Sequence, residues 1–193
     1  PIDLAGLEVR KGSKTFRWSG QYQGTMAEAE TLNIELNVLA EEGPKIPPAF
    51  ADTPLVFLAA THPLLQQDLV RQLKGAKLIV ADTRDLWITT QRDELLKTFK
   101  LVHGAIMNDG EARLLTGETN LVLAGRQILE WGPQFVVLKK GEHGVMLVMR
   151  DKVVSLPAYP TPNVKDPTGA GDSFAGGMMG YLATVKEHSF DAL

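Results

Sequence analysis

The sequence predicts an α/β protein: a three-layer α/β/α core around a mostly parallel sheet, with a small lid of β-strands. Three observations carry this. From Leu55 onward, short apolar runs alternate with segments of helical periodicity, as parallel βαβ units require. Before Leu55 the texture is extended, with apolar and aromatic residues at a period of two. Across 193 residues, 44% are hydrophobic and 22% charged, which gives one core enough apolar surface to offset chain entropy.

The elements follow in chain order. Residues 7–10 and 15–22 read as a β-hairpin turned at Lys11-Gly12-Ser13, with Phe16 and Trp18 on one face and Thr15 and Arg17 on the other. Residues 32–39 alternate Ile34, Leu36 and Val38 and read as a third lid strand, ahead of a loop marked by Gly43, Pro44, Pro47 and Pro48. On this division residues 1–40 form the lid and residues 41–193 the core. Residues 55–59 form the first core strand. Thr61 is then placed to cap a helix with Pro63 in its first turn, Leu65, Leu69 and Leu73 as its stripe, and Gly75 as its stop. Strands are expected at 78–80, ending at Asp82, and at 102–107 and 135–138. Helices are expected at 91–99, at 109–115 with Gly117 as stop, and where Leu121, Ala124, Ile128 and Trp131 recur before Gly132-Pro133. Residues 145–149 and 153–156 read as an antiparallel pair at the sheet edge. A last helix starts near Gly171, with Phe174, Met178, Tyr181, Leu182 and Val185 on one face; Gly176 and Gly177 are expected to thin it against the sheet.

Charge and composition narrow the function. Twenty Lys plus Arg against 23 Asp plus Glu leave a net charge of −3, so no basic surface for nucleic acid or anionic lipid is indicated. The absence of Cys excludes a disulfide framework, a thiolate zinc site and a Cys nucleophile. No apolar run reaches the ~18 residues of a membrane helix, and no signal-peptide pattern opens the chain; a cytoplasmic protein is expected. A start at Pro1 and a finish at Leu193 just beyond a helix read as a chain cut at both ends.

Chemistry concentrates in the run Asp166-Pro167-Thr168-Gly169-Ala170-Gly171-Asp172-Ser173-Phe174-Ala175-Gly176-Gly177. Gly169, Ala170 and Gly171 let backbone approach a ligand and lead into a helix whose first N–H groups lack partners, which makes an anion hole. The helix dipole adds roughly half a positive charge there. Asp172 in the first turn is placed to take a proton from an attacking hydroxyl. A second element, Asn108-Asp109-Gly110-Glu111, has the spacing of a capping box. A third, Lys139-Lys140-Gly141-Glu142-His143-Gly144, is a strand end with turn glycines.

The twelve-residue run resembles the C-terminal signature of the ribokinase or PfkB family of carbohydrate kinases, and the other two elements stand in that family's order. The resemblance implies a ribokinase-like fold and transfer of the γ-phosphoryl of ATP to a hydroxyl of a sugar or related small molecule. It implies Asp172 as base and Gly169 to Gly171 as anion hole. It makes Asn108 and Glu111 organisers of Mg2+ and the phosphates, mainly through water. Lys139, Gly141, Gly144 and Thr168 would line the nucleotide, and Asp166 would help hold a monovalent cation such as K+. Asp82 begins a stretch that looks like the family's D-x-N-x-R, but Thr83 and Arg84 break its spacing. A nucleoside kinase of the same fold and a binding paralogue without turnover stay open as alternatives. His62, His103, His143 and His188 lack ligand spacing and read as structural or exposed. The lid is expected to close over the acceptor or to pair with a second copy as a homodimer.

Overall fold

The computed structural model describes residues 2–22 and 29–185, which form two sheets. In the smaller sheet, β1 (Arg17–Tyr22) runs antiparallel to β2 (Ala29–Glu35), with Trp18 opposite Ile34 and an irregular register at Ser19/Gly20. The expected hairpin does not form. Its turn is present, with Gly12 at φ 89° and the Ser13 N–H donated to Arg10 O at 3.3 Å, but residues 7–10 join no strand. The partner of β1 is instead the segment expected to be a third strand. That segment leaves the sheet at Glu35 because Asn37–Ala40 coils into a 3-10 turn. Asn37 takes φ 47°, a left-handed conformation that Asn tolerates, and its amide donates to Thr15 O at 2.9 Å.

The larger sheet contains β3 (Leu55–Leu58), β4 (Leu78–Asp82), β5 (Gly104–Asn108), β6 (Phe135–Lys139), β7 (Val145–Met149) and β8 (Val153–Leu156), side by side in chain order. The pairs from β3 to β6 are parallel, while β7 and β8 add antiparallel edges. Between the parallel strands run α1 (Pro63–Gln72), α2 (Asp85–Thr90), α3 (Arg92–Phe99), α4 (Asp109–Thr116) and α5 (Leu121–Glu130). When successive parallel strands are neighbours, right-handed crossovers put every connecting helix on the same face. Accordingly Ile79, Ala81, Met107 and Val136 pack with Leu95, Phe99, Leu115 and Ile128 in one cluster. The alternate residues Leu78, Val80, Ile106, Phe135 and Val137 face the other way. They are covered by α6 (Ala170–Leu182) through Ala175 and Leu182. These are the three layers.

Local differences have physical causes. The cap of α1 is His62, whose Nδ1 accepts from Leu64 N–H at 3.2 Å, so Thr61 stands one residue too early. The short helix α2 was not foreseen, because Ile88, Thr89 and Thr90 are poor helix formers in so few residues. Gly176 and Gly177 do not thin α6 against the sheet: both are exposed, and a Cβ on either would meet nothing within 4 Å. Among the described residues no helix is long and apolar enough to cross a membrane.

Candidate active site

β4, β5 and β6 end side by side at Asp82, Asn108 and Lys139, with Asn108 opposite Lys139 in the register. Open α/β sheets bind ligands at this carboxyl edge. Here the Lys139 Nζ donates to Asp82 Oδ2 at 3.1 Å, and the two side chains are only 19% and 7% exposed. Asp82 Oδ1 also accepts the Thr83 N–H at 2.8 Å. Burial pushes the Asp82 carboxyl above its usual range and the nearby charge of Asp172 adds to this, while Lys139 pulls it back.

Above this pair starts α6. Gly169 turns the chain with φ 81°, a left-handed value that suits a residue without Cβ, and no side chain caps the helix. The Ala170 N–H is already donated to Pro167 O at 3.0 Å. Of the expected anion-hole residues, Ala170 thus has its N–H occupied, while among the described residues the N–H groups of Gly169 and Gly171, and that of Asp172, have no partner. A Cβ on Gly171 would lie 3.1 Å from Lys139 Nζ. An ammonium thus meets the positive end of a helix dipole, with the exposed Asp172 in the same turn. Such a place attracts anions and offers them a carboxylate neighbour.

Asn108 and Glu111 form a reciprocal capping box at the start of α4. Asn108 Oδ1 accepts the Glu111 N–H and Glu111 Oε2 accepts the Asn108 N–H, each at 2.7 Å. Burial pushes the Glu111 carboxyl up to about 7; the Asn108 N–H and Lys139 oppose this, and Asp82 and Asp85 add to it. Asn108 Oδ1 and Glu111 Oε2 serve the cap, so a cation held through water leaves it intact, while Glu111 Oε1 takes no part in it. Among the described residues no group of three or more His, Asp or Glu is placed to hold a metal ion.

The remaining expected residues divide between the turn from β6 to β7 and the loop that enters α6. Gly141 and Gly144 shape the turn from β6 to β7; Gly144 sits at φ 87°, and a Cβ there would fall 1.9 Å from Leu156 O. Asp166 Oδ1 accepts the Thr168 N–H at 2.9 Å, and hydrogen bonds from Thr168 hold this exposed carboxyl below the usual range. The Thr168 hydroxyl donates to Tyr22 OH at 3.3 Å, so the lid touches the loop that enters α6. It also touches the end of β4, where the Arg84 guanidinium lies 5.8 Å from the Trp18 ring centre and pairs with Asp85 at 3.2 Å. Of the histidines, His62 caps α1, His103 Nδ1 accepts the Ile79 N–H at 3.0 Å, His143 is exposed, and His188 lies outside the described residues. Sequence reasoning marked Asp82 only as the end of a strand at the ligand-binding edge, without a partner, and missed Tyr22. A carboxylate closing an otherwise apolar strand was the signal for Asp82; nothing local marked Tyr22.

Comparison with known proteins places the chain in a family. The model of the pfkB family carbohydrate kinases matches residues 65–190, more than half of the chain. The cytidine kinase of Thermococcus kodakarensis is 29% identical over 186 residues, which are 93% of this chain and 66% of that protein. Mouse (Mus musculus) ribokinase is 40% identical over 94 residues, 45% of this chain and 28% of that protein. The crystal structure of ribokinase from Thermotoga maritima superposes with a TM-score of 0.74 at 21% identity, covering 95% of this chain and 61% of that one, and shares the fold. The chain spans less than two thirds of the length of each of these relatives.

Proposed function

The chain belongs to the pfkB family of carbohydrate kinases, and from that premise we propose that it carries the phosphoryl-transfer machinery of an ATP-dependent kinase acting on a hydroxyl of a sugar or nucleoside. The supporting observation is the Lys139 ammonium set against the uncapped first turn of α6, the turn that holds Asp172. The Asp172 carboxylate takes the proton of the acceptor hydroxyl as that oxygen attacks the γ-phosphorus. The bond from γ-phosphorus to the bridging oxygen breaks, and ADP leaves. The Gly171 and Asp172 N–H groups, with the helix dipole, stabilise charge on the transferred oxygens. Lys139 binds the nucleotide phosphates, Gly141 and Gly144 shape the turn beside them, and Thr168 offers its hydroxyl. Asn108 and Glu111 would hold Mg2+, mainly through water, and the ion would supply neutralisation of phosphate charge. Asp166 is the proposed ligand of a monovalent cation, K+.

In this reading the lid, residues 1–40, closes over an acceptor held against the core, residues 41–193. Two copies pair through their lids, and the protein works in the cytosol without nucleic acid or membrane partners. A nucleoside is favoured over a free sugar by one observation: the lid brings Trp18 and Tyr22, two rings able to stack on a nucleobase, to the ends of β4 and of the loop before α6. The long alignment with a cytidine kinase points the same way.

The test is ADP release by the full-length gene product with ribose, fructose, cytidine, adenosine and inosine. Asp172→Asn keeps the side chain's shape but removes the base, and turnover should fall ~10² to 10⁴-fold with ATP affinity nearly unchanged. Normal turnover in that variant would strip Asp172 of its role. No ADP release from the wild type with any acceptor would sink the kinase reading.

A further inference from the structure

Asp82 and Lys139 stand 57 positions apart in sequence, yet their charged groups meet at 3.1 Å with little exposure to water. A pair so placed loses much of its attraction to desolvation, and two well-packed apolar residues would often hold the sheet as firmly. Fold stability is thus a weak reason for this pair. Its surroundings supply a better one. The ammonium reaches the backbone of Gly171, where a Cβ would lie 3.1 Å from Nζ. Asp172 is the next residue, and its charge acts on Asp82. Glu111, on α4, feels both Asp82 and Lys139, with Asp85 of α2 beyond. Lys139 therefore pairs with Asp82, faces the glycine before Asp172 and acts through its charge on Glu111, while Arg84 is turned towards Trp18 and Asp85.

We propose that Asp82 is a positioning residue for phosphoryl transfer: it pins the Lys139 ammonium against the first turn of α6 and keeps it from pairing with Asp172. The inference rests on the kinase reading and adds a residue outside the base and the phosphate-binding turns. Lys is a compact charge on a flexible four-carbon stem, so it goes where its partner holds it. Without Asp82 the carboxylates in its surroundings are Asp172, next to the glycine that the ammonium faces, and Glu111, on which its charge acts. Pairing with Asp172 weakens transfer in two ways. The ionised base, stabilised by the cation, holds a proton less strongly, and the ammonium is drawn away from the phosphate oxygens.

The experiment compares wild type, Asp82→Asn, Asp82→Glu and the double variant Asp82→Asn/Lys139→Met, each as the full-length gene product. kcat and KM for ATP are measured across pH, and Tm is measured alongside. In Asp82→Asn, kcat should fall about 10²-fold from a misplaced charge. Its KM for ATP should rise, and the acid limb of kcat/KM should move about one unit or more to lower pH as Asp172 gains a cationic partner. Asp82→Glu should recover much of the turnover. The double variant should regain Tm relative to Asp82→Asn yet stay inactive, which separates loss of charge placement from loss of fold. If Asp82→Asn lowers Tm but its folded molecules turn over normally with an unmoved acid limb, Asp82 is merely structural and the inference fails. A wild type without turnover would overturn the kinase reading and this role together, whereas an unmoved limb in an active background overturns this role alone.

Discussion

Glu111 is asked both to cap a helix and to stay partly out of water, and the two demands leave a mark on stability. Its carboxyl, near 4.5 in an unfolded chain, is pushed up to about 7 by burial. The folded state therefore holds the proton more tightly than the unfolded one. The stability from this group is full below the unfolded value and is lost as pH climbs towards and through the folded one. Glu111→Gln keeps an oxygen for the Asn108 N–H but does not titrate. Between about pH 5 and about pH 8 the urea midpoint of the wild type should fall more than that of Glu111→Gln. Parallel midpoints would mean that the buried carboxyl is not a source of pH dependence. The capping role was legible in the spacing of Asn108 and Glu111, because a capping box is local. The pairing of Asp82 with Lys139 was not, since nothing within either segment names a partner 57 positions away.

Within α6, single glycines pull in opposite directions. Gly169 enters the helix at φ 81° with open space around it, so an added methyl meets no clash and the cost is backbone strain alone, about 1–2 kcal/mol. Gly176 lies in the helical interior, also in open space, and there Ala saves roughly 0.8–1 kcal/mol of helix propensity. Thermal unfolding should accordingly place Gly169→Ala below the wild type and Gly176→Ala above it; the same sign for both would refute this account of the helix. The core elements were readable because an apolar run such as residues 135–138 of β6 has one use, a strand covered on both faces. The pairing within the lid was not read correctly, although both of its strands were. Period-two alternation marks residues as extended without naming a partner, and the turn at Gly12 looked sufficient. In the structure, β1 bypasses residues 7–10 and pairs with β2, beyond residues 23–28. α2 was missed for the opposite reason, since its six residues carry too few turns for periodicity to show.

At the scale of the molecule, the two sheets differ in what holds them. Every residue of β4 is buried, and β5 and β6 are buried except at their last residues, between helices on one side and α6 on the other. β1 alternates exposed and half-buried residues, and Leu32 of β2 is 61% exposed. The lid meets the site through the Trp18–Arg84 contact and the Tyr22–Thr168 hydrogen bond. Contacts of these kinds are each worth only about 0.5–1.5 kcal/mol. Opening the small sheet should then cost far less than unfolding the core, as the closing motion proposed for it requires. Hydrogen exchange reads this directly. In dilute protein, amides of β1 and β2 should exchange orders of magnitude faster than those of β4, β5 and β6, which require global unfolding. Adding ATP and the acceptor should slow the lid amides while leaving the core nearly unchanged. Raising protein concentration should slow them as well, if two lids pair. Lid protection equal to that of β5 in dilute, ligand-free protein would show that the small sheet is locked to the core, and the closing motion assigned to it would have to be abandoned.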